Sequence, residues 1–513
     1  NKREKLMLFH EYIEFHAHAR PDSPMLQRDD EELSFGQSVK KARGIAAWLQ
    51  KQGFVKGDRL AILGESSIDH VLLLLSASYI GAVFVPLNYR LAAAELTDVI
   101  SDGDIKLLLV SDPAMASLKA ELQPLLSSSV MVVDTLDEEE SPVVPETVSA
   151  DDTLIQLYTS GTTGRPKGVQ ISHKNLEALA VTAGLMYKIK PGVGTADLVV
   201  APLFHIGGLG SVTIPIMAGG KVLLHRQFEP AKIVDDIEQH GVNTIFLVPA
   251  MIQALLITVP NIRQRDFSSL KQMAYGASPI SPTLLSEAID VLGCHFYQLY
   301  GMTETTGSVV ALLPEDHRRA ISGDPDLLKS CGRPLAGVQV KVCNSDGQTV
   351  SLGETGEIVI YSDTNTRGYW QRPEETQKAI KDGWVYTGDA GIMDDEGFVY
   401  IRDRIKDMVV TGGENVYPVE VEKAIAGHPS ILEAAVIGVP DEKFGEALMA
   451  ICALNQDCEL TAEQLVDYCR DKIAGYKIPR KLCLVEALPR NPSGKILKTV
   501  LREPYWKNQQ RNV

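Results

Sequence analysis

Short apolar runs alternate with amphipathic stretches along the first part of the chain. The runs RLAILG (59–64), AVFVPL (82–87) and IKLLLVS (105–111) have the length and composition of buried strands. Between them, residues 67–81 and 93–103 have the length and spacing of helices. Because strands that alternate with helices are typical of parallel sheets, the pattern predicts an α/β fold.

The same pattern continues further along the chain. Strands are predicted at 131–134, 220–224, 244–248 and 270–274. The apolar run 70–87 approaches the length of a membrane span, but Gly81 and Pro86 interrupt it. We therefore expect a buried helix followed by a core strand there, and no transmembrane segment.

The pattern changes after Gly353, where 353–363 and 394–404 read as strands joined by glycine-containing turns. Pro418 then suits the first turn of a helix, and 431–441 reads as another strand. These signals predict a large N-terminal α/β domain with several sheets (1–404) and a small, mobile C-terminal α+β domain (405–513).

Composition and charge narrow the class of protein. A chain of 513 residues is too long for one core, and 45% hydrophobic with 23% charged residues is typical of globular proteins. The formal charge of -16 argues against nucleic acid as a partner. Seven cysteines without a CxxC pair, and an N-terminus without an apolar leader, predict reduced thiols and a cytoplasmic location.

The segment YTSGTTGRPKG (158–168) follows the apolar run 154–157 and has the composition of a phosphate-binding loop. Glycines and small hydroxyl residues let backbone N–H groups approach phosphate oxygens, and a lysine adds positive charge. The spacing is not that of a P-loop, and a polar surface loop is the alternative. The candidate phosphate ligands are Thr159, Ser160, Gly161, Thr162, Thr163, Gly164 and Lys167.

Further blocks follow in order: PLFHIGG (202–208), YGAS (275–278), QLYGMTETT (298–306), YTGDAG (386–391) with RDRIKDMVVTGGENVYPVEVE (402–422), and NPSGKILK (491–498). Together with the loop, they are similar to the motifs of the acyl-adenylate-forming superfamily, most of all to acyl-CoA synthetases. The resemblance implies an enzyme that uses ATP, Mg²⁺ and coenzyme A, and it also allows a homodimer. A carboxylate is a poor acyl donor, so it must be activated before the acyl group is transferred. Conversion to acyl-AMP with loss of pyrophosphate provides this activation.

The resemblance places the nucleotide in the central blocks. It implies that Glu304 binds Mg²⁺, to which a carboxylate oxygen is suited, and that Thr303 contacts phosphate. Tyr300 would stack on the adenine, with Gln298 near its amino edge, although core packing is the alternative for Tyr300. The remaining nucleotide-site candidates are Gly276, Ala277, Ser278, Gly301 and Met302.

The C-terminal blocks would complete the site. Asp389 is similar to the family's ribose-binding carboxylate, with turn capping as its alternative, and Arg404 would assist it. Lys495 would contact both the carboxylate and the α-phosphate as catalytic lysine. Lys406 stands where the family has its hinge. The turn Gly412, Gly413, Glu414 and Asn415 would approach CoA after domain rotation.

His205 resembles the family residue between the acyl pocket and the thiol entry, and a core histidine is its alternative. The segments expected to line the acyl pocket (205–211, 248–254, 274–279 and 299–309) contain no charge except Glu304. An uncharged medium- to long-chain fatty acid is therefore expected, with an aryl or cinnamate-type acid as alternative. Alternatives to CoA ligation are a stand-alone enzyme that loads a carrier protein, a luciferase-like oxygenase and a nucleotide sensor without catalysis.

Overall fold

A computed structural model describes residues 6–140, 143, 147–159, 166–189, 195–276, 280–404, 407–411, 414–441, 444–470, 472–490 and 496–507. The chain divides into two units by its internal contacts. The first comprises Asn1–Val340 and Ile360–Tyr386, and the second Lys341–Val359 and Thr387–Val513.

The helices of the described residues follow the chain in this order: α1 Phe9–Ala19, α2 Phe35–Lys51, α3 Ile68–Ile80, α4 Ala93–Asp102, α5 Ala116–Leu122, α6 His173–Tyr187, α7 Ile206–Ala218, α8 Pro230–His240, α9 Pro249–Thr258, α10 Pro282–Leu292, α11 Pro314–Ser322, α12 Pro373–Ala379, α13 Pro418–Ile425, α14 Ala462–Cys469 and α15 Lys498–Trp506.

The strands are β1 Pro24–Arg28, β2 Glu31–Ser34, β3 Arg59–Leu63, β4 Val83–Leu87, β5 Ile105–Leu109, β6 Met131–Val133, β7 Thr153–Thr159, β8 Lys167–Ser172, β9 Ala196–Val199, β10 Lys221–Leu224, β11 Thr244–Leu247, β12 Gln272–Gly276 and β13 His295–Met302. They continue with β14 Gly307–Leu312, β15 Arg333–Pro334, β16 Gln339–Cys343, β17 Gly356–Tyr361, β18 Ile380–Lys381, β19 Trp384–Met393, β20 Val399–Arg404, β21 Val409–Thr411, β22 Glu414–Val416, β23 Ile431–Asp441, β24 Gly445–Leu454 and β25 Lys481–Leu484.

Two large sheets form the framework of the first unit. Their strand orders are β15-β14-β13-β12-β11-β9-β10-β1-β2 and β6-β5-β3-β4-β7-β8. Strands β9 to β13 run parallel to their neighbours, and β14 then turns back antiparallel to β13. The carboxyl ends of these parallel strands therefore meet at one edge, which is where α/β folds place their ligand sites.

Helix α3 shows why the first unit folds around a central apolar layer. Every residue from Leu72 to Leu75 is at most 5% exposed, so the helix is buried on all sides. Burial of each leucine side chain contributes about 1.5–3 kcal/mol. Gly81 ends the helix with a φ of 66°, and β4 follows as predicted. No helix among the described residues is long and apolar enough to cross a membrane.

The second unit contains a smaller sheet of order β22-β21-β24-β23, with β25 beside β24. Apolar side chains cover both faces of this sheet: Val421 and Ile425 of α13 pack on one face, and Leu488 and Leu501 lie on the other. A further sheet of residues 339–404 has the order β16-β17-β19-β18, with β20 beside β19. The predicted boundary near residue 405 stays a prediction.

Candidate active site

The candidate phosphate loop joins two antiparallel strands. Strands β7 and β8 pair with Thr159 opposite Lys167, so these two residues form the base of the loop. The loop residues themselves (Ser160, Gly161, Thr162, Thr163 and Gly164) lie outside the described residues. A hairpin base of this kind holds Lys167 at the end of a buried strand.

Tyr369 links Lys167 to Glu304. The segment 368–370 runs beside β8, where the Trp370 N–H donates to the Gly168 carbonyl at 2.7 Å. This places the Tyr369 ring with its centroid 5.1 Å from the Lys167 ammonium. The Tyr369 hydroxyl donates to Oε1 of Glu304 at 2.8 Å. Sequence reasoning missed Tyr369, although its aromatic pair with Trp370 after a glycine was a visible signal.

Glu304 lies in a single 3-10 turn, Thr303–Thr305, directly after β13. The Thr305 hydroxyl accepts from the Met302 N–H at 3.0 Å and donates to the Gly307 carbonyl at 2.8 Å, which closes the turn on itself. Glu304 is 8% exposed, and its carbonyl accepts from the Thr366 N–H at 2.8 Å. The turn thus holds a carboxylate rigidly at the carboxyl edge of the sheet.

Two glycines permit close backbone contacts at this edge. A Cβ on Gly301 would lie 1.9 Å from the Gly307 carbonyl oxygen, and one on Gly276 would lie 2.5 Å from that of Leu299. Both positions therefore require glycine. Gly276 stands opposite Leu299 in the β12–β13 pairing, which brings two predicted blocks together. Ala277 and Ser278 lie outside the described residues.

A buried hydrogen-bond chain orients Gln298. The Tyr275 hydroxyl donates to Oε1 of Gln298 at 3.2 Å and also lies 2.9 Å from Nε2 of His317. Burial lowers the pKa of His317 to about 4, so this histidine is neutral at pH 7. Tyr300 follows two residues later on β13, at a bulge opposite Val310. The predicted adenine-side residues thus share one strand.

A cavity of about 530 Å³ lies between α7 and the sheet. Its size is that of a small-molecule site. Its walls are mostly apolar and include Leu179, Ile206, Ile214, Phe246 and Leu299. Gly276 and Gly301 line it as well, so the cavity reaches the strand ends that carry the nucleotide motifs.

The lining differs from the sequence-based expectation in two respects. Residues 248–254, which follow β11 and begin α9, are absent from the described walls, whereas parts of 205–211, 274–276 and 299–308 are present. In addition, Lys188, Asp197 and Lys271 line the cavity, so the expectation of an uncharged lining was wrong. Sequence motifs missed these residues because they lie outside the family blocks: Lys188 directly follows α6, Asp197 lies on β9, and Lys271 directly precedes β12.

His205 stands at the start of α7, and the following residues Ile206 and Gly207 line the cavity. Burial, with a smaller contribution from Arg90, lowers the pKa of His205 to about 4, so its imidazole is neutral at pH 7. Its buried Nε2 has no hydrogen-bond partner within the described residues. An unpaired buried nitrogen is costly in a residue that only fills the core, which favours a ligand-binding role.

The second unit carries the remaining candidates. Asp389 is 4% exposed on β19, and its backbone stands opposite that of Arg404 on β20; their cooperation at the ribose stays a prediction. Its N–H donates to the Thr387 hydroxyl at 3.0 Å. The side chains of Arg404, Glu414 and Asn415 lie outside the described part of the chain, as do all of Lys406, Gly412, Gly413 and Lys495.

The site chemistry fits a magnesium ion that is held jointly with phosphates. Within the described residues, no group of three or more His, Cys, Asp and Glu side chains could enclose a metal. Mg²⁺ needs only one or two carboxylates when phosphates supply further ligands. Glu304, held by the Tyr369 hydroxyl, provides such a carboxylate, and Lys167, whose ammonium lies 5.1 Å from the centroid of the same tyrosine ring, offers a cation for the phosphates.

The fold and this site define an adenylate-forming enzyme. The chain belongs to the AMP-binding enzyme family, whose models match residues 13–370 (AMP-binding enzyme) and 420–495 (AMP-binding enzyme C-terminal domain). It is 36% identical over 507 residues to the fatty acid–[acyl-carrier-protein] ligase of Streptomyces coeruleorubidus, covering 97% of this chain and 96% of that protein. It is 35% identical over 492 residues to a feruloyl-CoA synthase of Amycolatopsis, covering 95% and 97%.

Solved structures agree with this assignment. The O-succinylbenzoate coenzyme A synthetase of Bacillus subtilis, in complex with ATP and magnesium ion, superposes with a TM-score of 0.83. The identity is 31%, and the match covers 95% of this chain and 98% of that one. The family resemblance, the α/β fold, the class of AMP-forming acid–CoA ligase and the use of ATP, Mg²⁺ and CoA are confirmed.

Proposed function

We propose that the chain activates an uncharged medium- to long-chain carboxylic acid as acyl-AMP and then transfers the acyl group to CoA. The observation that carries this proposal is the cavity of about 530 Å³ with apolar walls, which ends at Gly276 and Gly301 beside the nucleotide motifs. An acid bound there with its carboxylate at the glycine end would face the phosphates of ATP.

The residues of the site have distinct tasks in this reaction. The carboxylate oxygen attacks the α-phosphorus, the bond to the β-phosphate oxygen breaks, and pyrophosphate leaves. Lys167 offers positive charge to the phosphates, and Tyr369 holds the Glu304 carboxylate in place. When bound, Mg²⁺ neutralises charge on the triphosphate. Asp389 would bind the ribose and Lys495 the α-phosphate.

Transfer needs no further cofactor. The CoA thiolate attacks the acyl carbon, the acyl–oxygen bond breaks, and AMP leaves. His205 is neutral, its Nε2 has no partner among the described residues, and it directly precedes Ile206 and Gly207 of the cavity wall, so it is the candidate to hydrogen-bond a group that enters there. A homodimer and a cytoplasmic location stay predictions.

A carrier protein is the second candidate for the acceptor. The similarity to a fatty acid–[acyl-carrier-protein] ligase supports it, while the similarity to a feruloyl-CoA synthase supports CoA and an aryl acid. Both acceptors would react with the same acyl-adenylate, so they differ only in the thioester that forms in the second step.

The test is pyrophosphate release over acids of graded chain length, with and without CoA, followed by mass spectrometry of the products. We expect acid-dependent pyrophosphate release, and acyl-CoA when CoA is present. Adenylate that accumulates although CoA is present would favour the carrier protein. Pyrophosphate release that does not depend on any acid would refute the proposal.

Lys495→Ala separates the two half-reactions. This variant should lose acid-dependent pyrophosphate release by about a hundredfold or more, because positive charge at the transition state is removed. Thioester formation from synthetic acyl-AMP should continue. Lys507→Ala, a change to another lysine near the C-terminus, serves as the matched control.

A further inference from the structure

A row of polar side chains crosses one part of the cavity wall. In the parallel pairing of β9, β11 and β12, Asp197 stands opposite Thr244, and Thr244 stands opposite Gln272. All three residues line the cavity, and Thr195 joins them. In mostly apolar pockets, a small number of polar groups fixes the orientation of the ligand and provides specificity.

The row lies far from the adenylating end of the cavity. Gln272, Ala274 and Gly276 alternate along β12 and all line the cavity, so the cavity follows the face of this strand. The four residue steps from Gln272 to Gly276 span about 13 Å. An acid whose carboxylate lies near Gly276 therefore extends its other end toward Asp197.

The Asp197 carboxylate accepts hydrogen bonds from neighbouring hydroxyl groups. The Thr195 hydroxyl donates to its Oδ2 at 3.0 Å. Across the described part of the chain, Asp197 forms no ion pair with lysine or arginine. Burial raises the pKa of Asp197 to about 7, while hydrogen bonds from Thr195 and Thr244 act in the opposite direction. A carboxyl that faces a cavity can accept a further hydrogen bond from a ligand, because its two oxygens offer more acceptor sites than these hydroxyls use.

We propose that Asp197 accepts a hydrogen bond from a hydroxyl group at the far end of the substrate acid, so that the enzyme selects acids with such a hydroxyl. The inference rests on the proposed acid-activating function and specifies its substrate class. A hydroxyl can use the carboxyl at either protonation state, since it both donates and accepts.

The neighbouring charges favour a neutral hydroxyl over an ammonium group. Lys188 and Lys271 line the same cavity, so an ammonium group that enters it would meet two like charges. Lys271 donates to the Ser268 carbonyl at 2.6 Å.

The experiment compares matched acids that differ only in the distal hydroxyl: decanoic with 10-hydroxydecanoic acid, and cinnamic with 4-hydroxycinnamic acid. For each pair, kcat/KM is measured by pyrophosphate release, and the dissociation constant is measured by calorimetry. We expect the wild type to favour at least one hydroxy acid by about tenfold or more in both measurements.

Asp197→Val keeps a similar volume and removes the acceptor. In this variant the preference should fall to about one, because the hydroxy acid loses its partner while the unsubstituted acid still reacts. Asp326→Asn changes an exposed aspartate that pairs with Lys329, and it should keep the wild-type preference.

The two proposals fail in different ways. Equal kcat/KM and equal dissociation constants for both members of both pairs would overturn the role of Asp197, even with full adenylating activity. An unchanged preference in Asp197→Val would also overturn it. If no acid gave pyrophosphate, the proposed function would fail, and the calorimetric preference alone would then decide the inference on Asp197.

Discussion

At the residue scale, Tyr369 connects two motifs that lie far apart in the sequence. Its hydroxyl holds Glu304, and its ring lies beside the Lys167 ammonium. Tyr369→Phe should lower kcat/KM for ATP by about ten- to a hundredfold, since a hydrogen bond to a charged group contributes about 1.5–3 kcal/mol. The Mg²⁺ concentration for half-maximal pyrophosphate release should rise, because the carboxylate is less well positioned.

The measurement is a Mg²⁺ titration of pyrophosphate release at fixed ATP. Tyr361→Phe, at a residue that is 45% exposed, provides the control with the same chemical change. An unaltered Mg²⁺ requirement in Tyr369→Phe would show that Glu304 does not depend on this hydroxyl.

Two glycines illustrate how local space decides the effect of one methyl group. Gly301→Ala would place Cβ 1.9 Å from a carbonyl oxygen, so we expect misfolding or loss of acid-dependent pyrophosphate release. A Cβ on Gly184 in α6 would meet nothing within 4 Å, and Gly184→Ala should stabilise the helix by about 0.5–1 kcal/mol. Thermal unfolding of both variants checks the contrast, and equal melting temperatures would contradict it.

Some residues of the site could be predicted from the sequence and others could not. Lys167 and Glu304 stand in motifs that indicate their chemistry. Lys167 is a cation in a glycine-rich loop, and Glu304 is a carboxylate after a strand. Tyr369 and Asp197 carry no such local signal. Their roles depend on strand pairing, since β8 brings Tyr369 near and the register of β9 places Asp197 opposite Thr244.

At the element scale, one face of α7 determines the width of the cavity. Ile206, Gly210 and Ile214 line the cavity at helical spacing. A Cβ on Gly210 would lie 3.8 Å from a Leu179 methyl carbon, which is an ordinary contact. Larger side chains at this position would therefore enter the cavity without disturbing the backbone.

Gly210→Leu should abolish activity toward long acids while short acids still react. Gly210→Ala should have a smaller effect of the same kind. The measurement is kcat/KM across straight-chain acids of increasing length, with the melting temperature as a check on folding. A uniform loss at all lengths would show that the cavity does not hold the acyl chain.

The elements themselves were predictable to different degrees. Strands β3, β4 and β5 were predicted because parallel strands that are buried on both faces form continuous apolar runs. Strand β12 begins at Gln272, two residues after the predicted start, because the Leu270 N–H still belongs to a turn, in which it donates to the Phe267 carbonyl at 2.9 Å. The two-residue strands β15 and β18 are too short to produce a pattern.

At the scale of the whole molecule, buried histidines couple folding to pH. Burial lowers the pKa of His70 and His173 to about 3, and that of His205 and His317 to about 4. In the unfolded chain each returns to 6.5. Between pH 6.5 and 4 the unfolded state therefore binds more protons, so stability falls as pH falls. Asp197 acts in the opposite direction: its pKa is raised from 3.8 to about 7 in the folded protein, so there the folded state binds one more proton than the unfolded state.

Near pH 5.5, these histidines gain about four protons on unfolding, and Asp197 loses about one. Unfolding therefore takes up about three protons in total. His10 and His16 are shifted in the same direction and would add to it. Stability should then change by about 4 kcal/mol per pH unit.

Calorimetric unfolding at pH 5.5, in two buffers of different ionisation enthalpy, measures the proton uptake directly, and Asp197→Val should increase this uptake by about one proton. A melting temperature that stays constant from pH 6.5 to 5 would contradict the coupling, since it would require these imidazoles to be protonated in the folded protein.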